Sequence, residues 1–133
     1  MKITKNLFCL ALSAAGLATS APSAFADSTC SPDVSVTYKS GSGTSIKVTA
    51  IEYRLDGTTQ WHREGVTNKV LDKGKSHSFK SQRLGAVAKG QKIDLRAVFK
   101  PDTGNDYGAE EPSPIRNSGK ACENNVTYSI NVE

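Results

Sequence analysis

Two stretches decide the fold: CSPDVSVTY at residues 30–38 and CENNVTYSINVE at residues 122–133. In each, a cysteine is followed four residues later by a valine that opens an alternation of apolar and polar side chains with a Thr-Tyr in it. Alternation with period two puts every second side chain on one face of a β-strand. The two stretches therefore read as strands, Val34–Lys39 and Val126–Val132, each led by a cysteine. If Cys30 bonds Cys122, both strands set out from one point and run the same way. That favours a roughly parallel first and last strand, though facing strands of two sheets would also satisfy it. Nothing between the two ends repeats, so the likeness is one of strand chemistry and not of duplicated domains.

Working outward, residues 1–26 have the form of a secretory leader. Lys2 and Lys5 precede an apolar run from Leu7 to Leu17, and Ala24-Phe25-Ala26 is a small-x-small cleavage site. The run is too short to span a bilayer. Cys9 leaves with the leader, which is of bacterial type, and the product is expected to be exported to the periplasm or beyond. In that setting the Asn125-Val126-Thr127 acceptor motif carries no meaning. Residues 27–133 are then one domain by length, with Cys30 and Cys122 as its two cysteines. Export favours oxidation, and two cysteines allow one pairing. Closing a loop of about 93 residues is worth roughly 4–5 kcal/mol by chain entropy, against about 5–15 kcal/mol for a whole domain.

Between the ends the chain reads as short strands and turns. Gly41-Ser42-Gly43 breaks the first strand, and Ile46, Val48 and Ile51 to Tyr53 form a second whose phase slips near Ala50-Ile51, the mark of a bulge. Asp56-Gly57 signals a hairpin with Trp61 to Val66 as its return strand. Val70 to Gly74 reads as a turn, Ser76–Lys80 as a strand, and Leu84 to Ala88 as a helical turn. Ile93, Leu95, Ala97 and Phe99 alternate with Lys92, Asp94, Arg96 and Val98 as a half-buried strand ended by Pro101. Residues 101–120 are rich in Gly, Pro, Asn and Asp and read as one long loop, a length usually functional or disordered. About seven short strands at this spacing imply an all-β, antiparallel sandwich stapled by one disulfide.

Three segments resemble the fibronectin type III and related Ig-like domains: IEYRLDGTTQW, KGQKIDLRAVF and GNDYGAEEPS. They are similar, in turn, to that family's tyrosine-turn-tryptophan hairpin, its glycine-led alternating strand and its small-residue loop. Ile93 stands where the family's corner tyrosine falls, and no tryptophan lies on an early strand. What the resemblance implies is the Ig-like sandwich, with no functional residue.

Catalytic chemistry is hard to assemble from this composition. His62 and His77 are the only histidines, and neither G-x-S-x-G nor H-E-x-x-H occurs. The oxygen-rich cluster Asp102, Asn105, Asp106, Glu110 and Glu111 has no EF-hand spacing and reads as a solvated acidic loop, so no metal and no cofactor are expected. Charge is uneven. Loss of Lys2 and Lys5 leaves 15 basic against 13 acidic side chains, and nine of the basic ones (Lys69, Lys73, Lys75, Lys80, Arg83, Lys89, Lys92, Arg96 and Lys100) fall within residues 69–100. Trp61, the single tryptophan, is read as core, with Tyr53 across the turn on the same face; left exposed, the pair with Arg63 would form a recognition patch.

The reading is an exported non-catalytic module, not an enzyme, that recognises another protein as an inhibitor, immunity or adhesion-type factor. The alternative is an envelope- or carbohydrate-binding module or toxin that meets an anionic glycan or membrane surface with its basic face. Nucleic acid is not expected as a partner, because aromatic residues do not interleave the charges. Candidate binding residues are Tyr53, Trp61 and Arg63 on the hairpin, Lys73, Lys75 and His77 in the basic stretch, and Asp102, Asn105, Asp106 and Tyr107 in the long loop.

Overall fold

The computed structural model describes residues 29–133, and the leader assigned to residues 1–26 lies outside them. The described residues form ten strands and no helix: β1 (Thr29–Cys30), β2 (Asp33–Tyr38), β3 (Ser45–Leu55), β4 (His62–Asp72), β5 (Ser76–Phe79), β6 (Leu84–Ala88), β7 (Lys92–Pro101), β8 (Glu111–Pro112), β9 (Arg116–Ala121) and β10 (Thr127–Val132). A three-stranded sheet, β10-β2-β5, faces a five-stranded one, β4-β3-β7-β8 with β9 also on β7; β1 and β6 form a separate pair. The fold is all-β and sandwich-like, antiparallel except at one place.

That place is the pairing of the two chain ends. β2 and β10 are parallel in unbroken register from Asp33↔Thr127 to Tyr38↔Val132. Cys30 and Cys122 are bonded, with their Cα atoms 6.0 Å apart and 92 positions separating them in sequence. Asp33 N donates to Val126 O at 3.0 Å, and Lys39 N to Val132 O at 2.9 Å, which closes the ladder at both ends. Alternation then does the rest. Val34, Val36 and Tyr38 enter the core beside Tyr128, Ile130 and Val132, and the polar residues between them face outward. Each fully buried aliphatic side chain contributes about 1.5–3 kcal/mol. From the other layer come Ile46, Val48, Ile51 and Tyr53 of β3 and Ile93, Leu95, Ala97 and Phe99 of β7.

The bulge expected near Ala50-Ile51 falls one residue earlier, where both pairings of β3 shift between Val48 and Ala50. Thr49 is the extra residue. It returns Ile51 and Tyr53 to the core and sends Ala50, Glu52 and Arg54 to the outer face.

Four expectations are corrected. Val70 to Gly74 is not a turn as a whole: Val70, Leu71 and Asp72 still belong to β4, with Leu71 paired to Ile46 and buried. The chain reverses only at Lys73-Gly74, where Lys75 N donates to Asp72 O at 2.9 Å and Gly74 takes the positive φ of 89° the turn needs. Leu84 to Ala88 is strand β6 and not a helical turn. The three-residue spacing of Leu84 and Val87 looks helical, but an irregular pairing with β1 buries both from an extended chain.

β7 is not half-buried. Asp94 and Val98 on its outer side are 4% exposed, because β7 is paired on both edges, by β3 on one side and by β8 and β9 on the other, and neighbouring side chains such as Arg54 and Asn117 close over Asp94. For the same reason residues 101–120 are not one open loop. Ser113 is buried and extends the ladder, its N donating to Ala97 O at 2.8 Å while its Oγ accepts from Ala97 N at 2.9 Å.

The bridge joins strands from opposite ends of the chain, so replacing both cysteines with alanine should lower the unfolding free energy by roughly 3–5 kcal/mol. Urea titration of the double variant against the oxidised protein checks this. A loss below about 1 kcal/mol would mean that the parallel pairing holds without the staple.

Candidate functional site

The outer face of the five-stranded sheet holds three of the candidate residues, Trp61, Arg63 and Tyr107. Paired positions in an antiparallel sheet share a face, so register alone builds a grid there. One row runs from Arg54 of β3 to Asp94 of β7 and Asn117 of β9. Arg54 Nε donates to Asp94 Oδ2 at 2.9 Å, and Asn117 Nδ2 donates to Asp94 Oδ1 at 2.7 Å. The next row is Arg63 of β4, Glu52 of β3 and Arg96 of β7, with Arg96 Nε donating to Glu52 Oε1 at 2.7 Å.

Trp61 crosses these rows. β3 ends at Leu55, Thr58 N donates to Leu55 O at 3.0 Å across the Asp56-Gly57 turn, and β4 starts only at His62. The connection is therefore longer than a tight hairpin, and its last residue is laid on the sheet. The Trp61 ring centroid lies 4.0 Å from Arg96 Cζ and 4.5 Å from Arg54 Cζ. Such cation–π contacts contribute about 0.5–1 kcal/mol each at exposed sites and more where desolvated. Trp61 is thus half-buried on the outer face and is not core. Tyr53, by contrast, is core, 2% exposed; its OH accepts from Ala86 N at 3.3 Å and its ring stacks on His62 at 5.4 Å. Tyr53 and Trp61 do not share a face, because a one-residue difference in strand phase separates them.

The 101–120 segment supplies the rim. Asp102 bridges Tyr107, and Thr103 N donates to Asp106 O at 2.8 Å, so residues 102–107 fold back on themselves. Asp102 accepts from Gly104 N and Thr44 Oγ1, and these hydrogen bonds hold its carboxyl below the ordinary value. Asp106 caps its neighbour Tyr107 N at 2.7 Å, and Asn105 is exposed. The Tyr107 ring takes Lys47 Nζ at 4.4 Å, and its OH meets Ser45 Oγ at 3.2 Å. Farther along, Glu110 accepts from Arg63 Nη2 at 2.7 Å and from Thr49 Oγ1. Glu52, Arg63, Arg96, Val98, Glu110, Glu111 and Pro112 surround a shallow depression of about 210 Å³.

Of the basic stretch, Arg96 and Lys100 of β7 lie on this face opposite Glu52 and Lys47, but Lys73, Lys75 and His77 lie elsewhere. Lys73 Nζ donates to Gly41 O at 2.8 Å and Lys75 is exposed, both on the turn between β4 and β5. His77 stands edge-on to Phe79, 4.7 Å between ring centroids, and lines a separate groove between β4 and β5. His62 and His77 belong to different sheets. Among the described residues no three His, Cys, Asp or Glu side chains converge as metal ligands. Arg54 and Glu52 escaped the sequence reading. Their signal was present, since alternation from Ile51 and Tyr53 places both on the face opposite the core.

No family model matches the chain, and no curated protein or solved structure matches it.

Two outcomes are expected. Asp94 has a side chain only 6% exposed, and its replacement by alanine strands Arg54 and Asn117, at a cost of about 2–3 kcal/mol in urea unfolding; a cost under about 1 kcal/mol would mean that water replaces the carboxylate. Glu110 titrates below the ordinary range, first because of the Arg63 hydrogen bond and then that of Thr49. A lowered carboxyl favours the folded contact above its ordinary value and loses it as pH falls through the lowered one. NMR titration should show the Glu110 midpoint under the roughly 4.3 of free glutamate, moving up in Arg63→Gln. A wild-type midpoint at the free value would remove Arg63–Glu110 from the site.

Proposed function

We propose that the protein is an exported, non-catalytic recognition module with an Ig-like sandwich, and that it binds another protein through the outer face of the five-stranded sheet. The observation that carries this is Trp61 lying half-buried over Arg54 and Arg96 on a rigid sheet. Tryptophan and arginine are the residue types that dominate interface energies when they sit at the centre of a patch. Here the arginines are already oriented by Asp94 and Glu52, so little ordering cost is left for association. Arg63, Glu110 and Pro112 form a mixed polar rim around them.

Export is supported by the disulfide and by the leader-like first 26 residues. The histidines favour a binding role over catalysis, since each packs against a neighbouring ring, His62 stacked on Tyr53 and His77 edge-on to Phe79.

The test is capture from host envelope extract by the oxidised protein at 0.1 M and 0.5 M salt, read by mass spectrometry. One protein retained at both salt levels, and lost from Trp61→Ala with its melting temperature intact, is the expected result. Equal capture by wild type and Trp61→Ala would overturn the assignment of this face.

A further inference from the structure

A second surface lies on the open flank of the sandwich. β4 and β5 are the edge strands of their sheets on this side, and they are not hydrogen-bonded to each other. Between Lys69↔Val48 and Gly65↔Ala50, β4 carries Val66, Thr67 and Asn68 opposite the single residue Thr49, so its backbone leaves the ladder there. The result is a groove of about 490 Å³, lined by residues 65–69 of β4 and by His77, Ser78, Phe79, Lys80 and Gln82.

Its chemistry is one-sided. Lys69 and Lys80 stand on opposite walls with His77, and no lining residue is acidic. Lys69 pairs with Val48 and His77 with Val36, two core residues, so strand alternation aims both side chains toward the gap between the layers. Thr67, Asn68 and Gln82 add hydroxyl and amide groups that donate and accept hydrogen bonds. Asp33 holds Lys80 Nζ at 3.2 Å and is itself fixed by Ser81 N, and Glu64 comes one residue before the lining. Lys73 and Lys75 lie on the turn that joins the two walls.

We infer that this groove binds an anionic polysaccharide, with its sulfate, phosphate or carboxylate groups on Lys69, Lys80 and His77 and its sugar hydroxyls on Thr67, Asn68 and Gln82. Charge complementarity selects an anion. The hydroxyl and amide lining selects a polyhydroxylated chain over a lipid surface, which would meet a flat or apolar face instead. The open form, with walls from two strands, suits a polymer lying across it. The site is separate from the Trp61 face, so either assignment can fail alone.

The experiment is a calorimetric titration of the disulfide-intact protein with a sulfated heparin oligosaccharide at 0.05 M and 0.3 M salt. Neutral dextran and vesicles containing anionic phospholipid are the parallel arms. Binding is expected for the sulfated chain only, weaker at the higher salt. Lys69→Gln with Lys80→Gln should weaken it roughly tenfold, whereas Lys89→Gln, on a turn outside the groove, and Trp61→Ala should leave it unchanged. No binding, equal loss in Lys89→Gln, or vesicle binding with the same lysine dependence would overturn the proposal. In the case of Lys89→Gln, net positive charge and not the groove would be the cause.

Discussion

The structure depends on a constraint that no local stretch could impose: the first long strand and the last one start at the same covalent point. The Cys30–Cys122 bridge sits just before the parallel ladder of β2 and β10. A parallel pair needs its two strands brought together from distant parts of the chain, and the entropy of that closure grows with the loop. The disulfide meets that cost in the unfolded chain. Once β2 and β10 are side by side, their alternating residues supply most of one layer of the core, against which β3 and β7 close.

The second determinant is the single extra residue at Thr49. Were Thr49 kept in regular alternation with no bulge, β3 would send Ile51 and Tyr53 outward after Val48 and bring Ala50 and Glu52 into the core. With the bulge, both halves of a long strand keep their apolar side chains inward. The outer face gains Glu52 and Arg54 in register with Arg96 and Asp94. The residue that repairs the core is thus also the one that assembles the charged grid beneath Trp61. Opposite Thr49, β4 departs from the ladder and opens the flank between the sheets. One irregularity shapes both surfaces.

Much of the framework was legible beforehand. The disulfide, the direction of the end strands, the bulge and the strands around Ser76–Phe79 and Lys92–Pro101 all follow from cysteine count, period-two alternation and turn residues. Two of the differences share one cause. Leu84–Ala88 looked helical and residues 101–120 looked like loop because both take their extended form from partners far away in sequence. The size of Trp61 favours the core, but the chain after Asp56-Gly57 carries it over the outer face, where two arginines meet its ring. The acidic loop was legible as acidic. That Glu110 would reach Arg63 was not.

The sequence by itself determined the class of fold and the staple, because alternation, turn propensity and two cysteines are properties of short stretches and simple counts. Which faces are covered and which side chains meet was left to the tertiary structure. Those contacts depend on register between residues many positions apart, and a shift of one residue exchanges the inside of a strand for its outside.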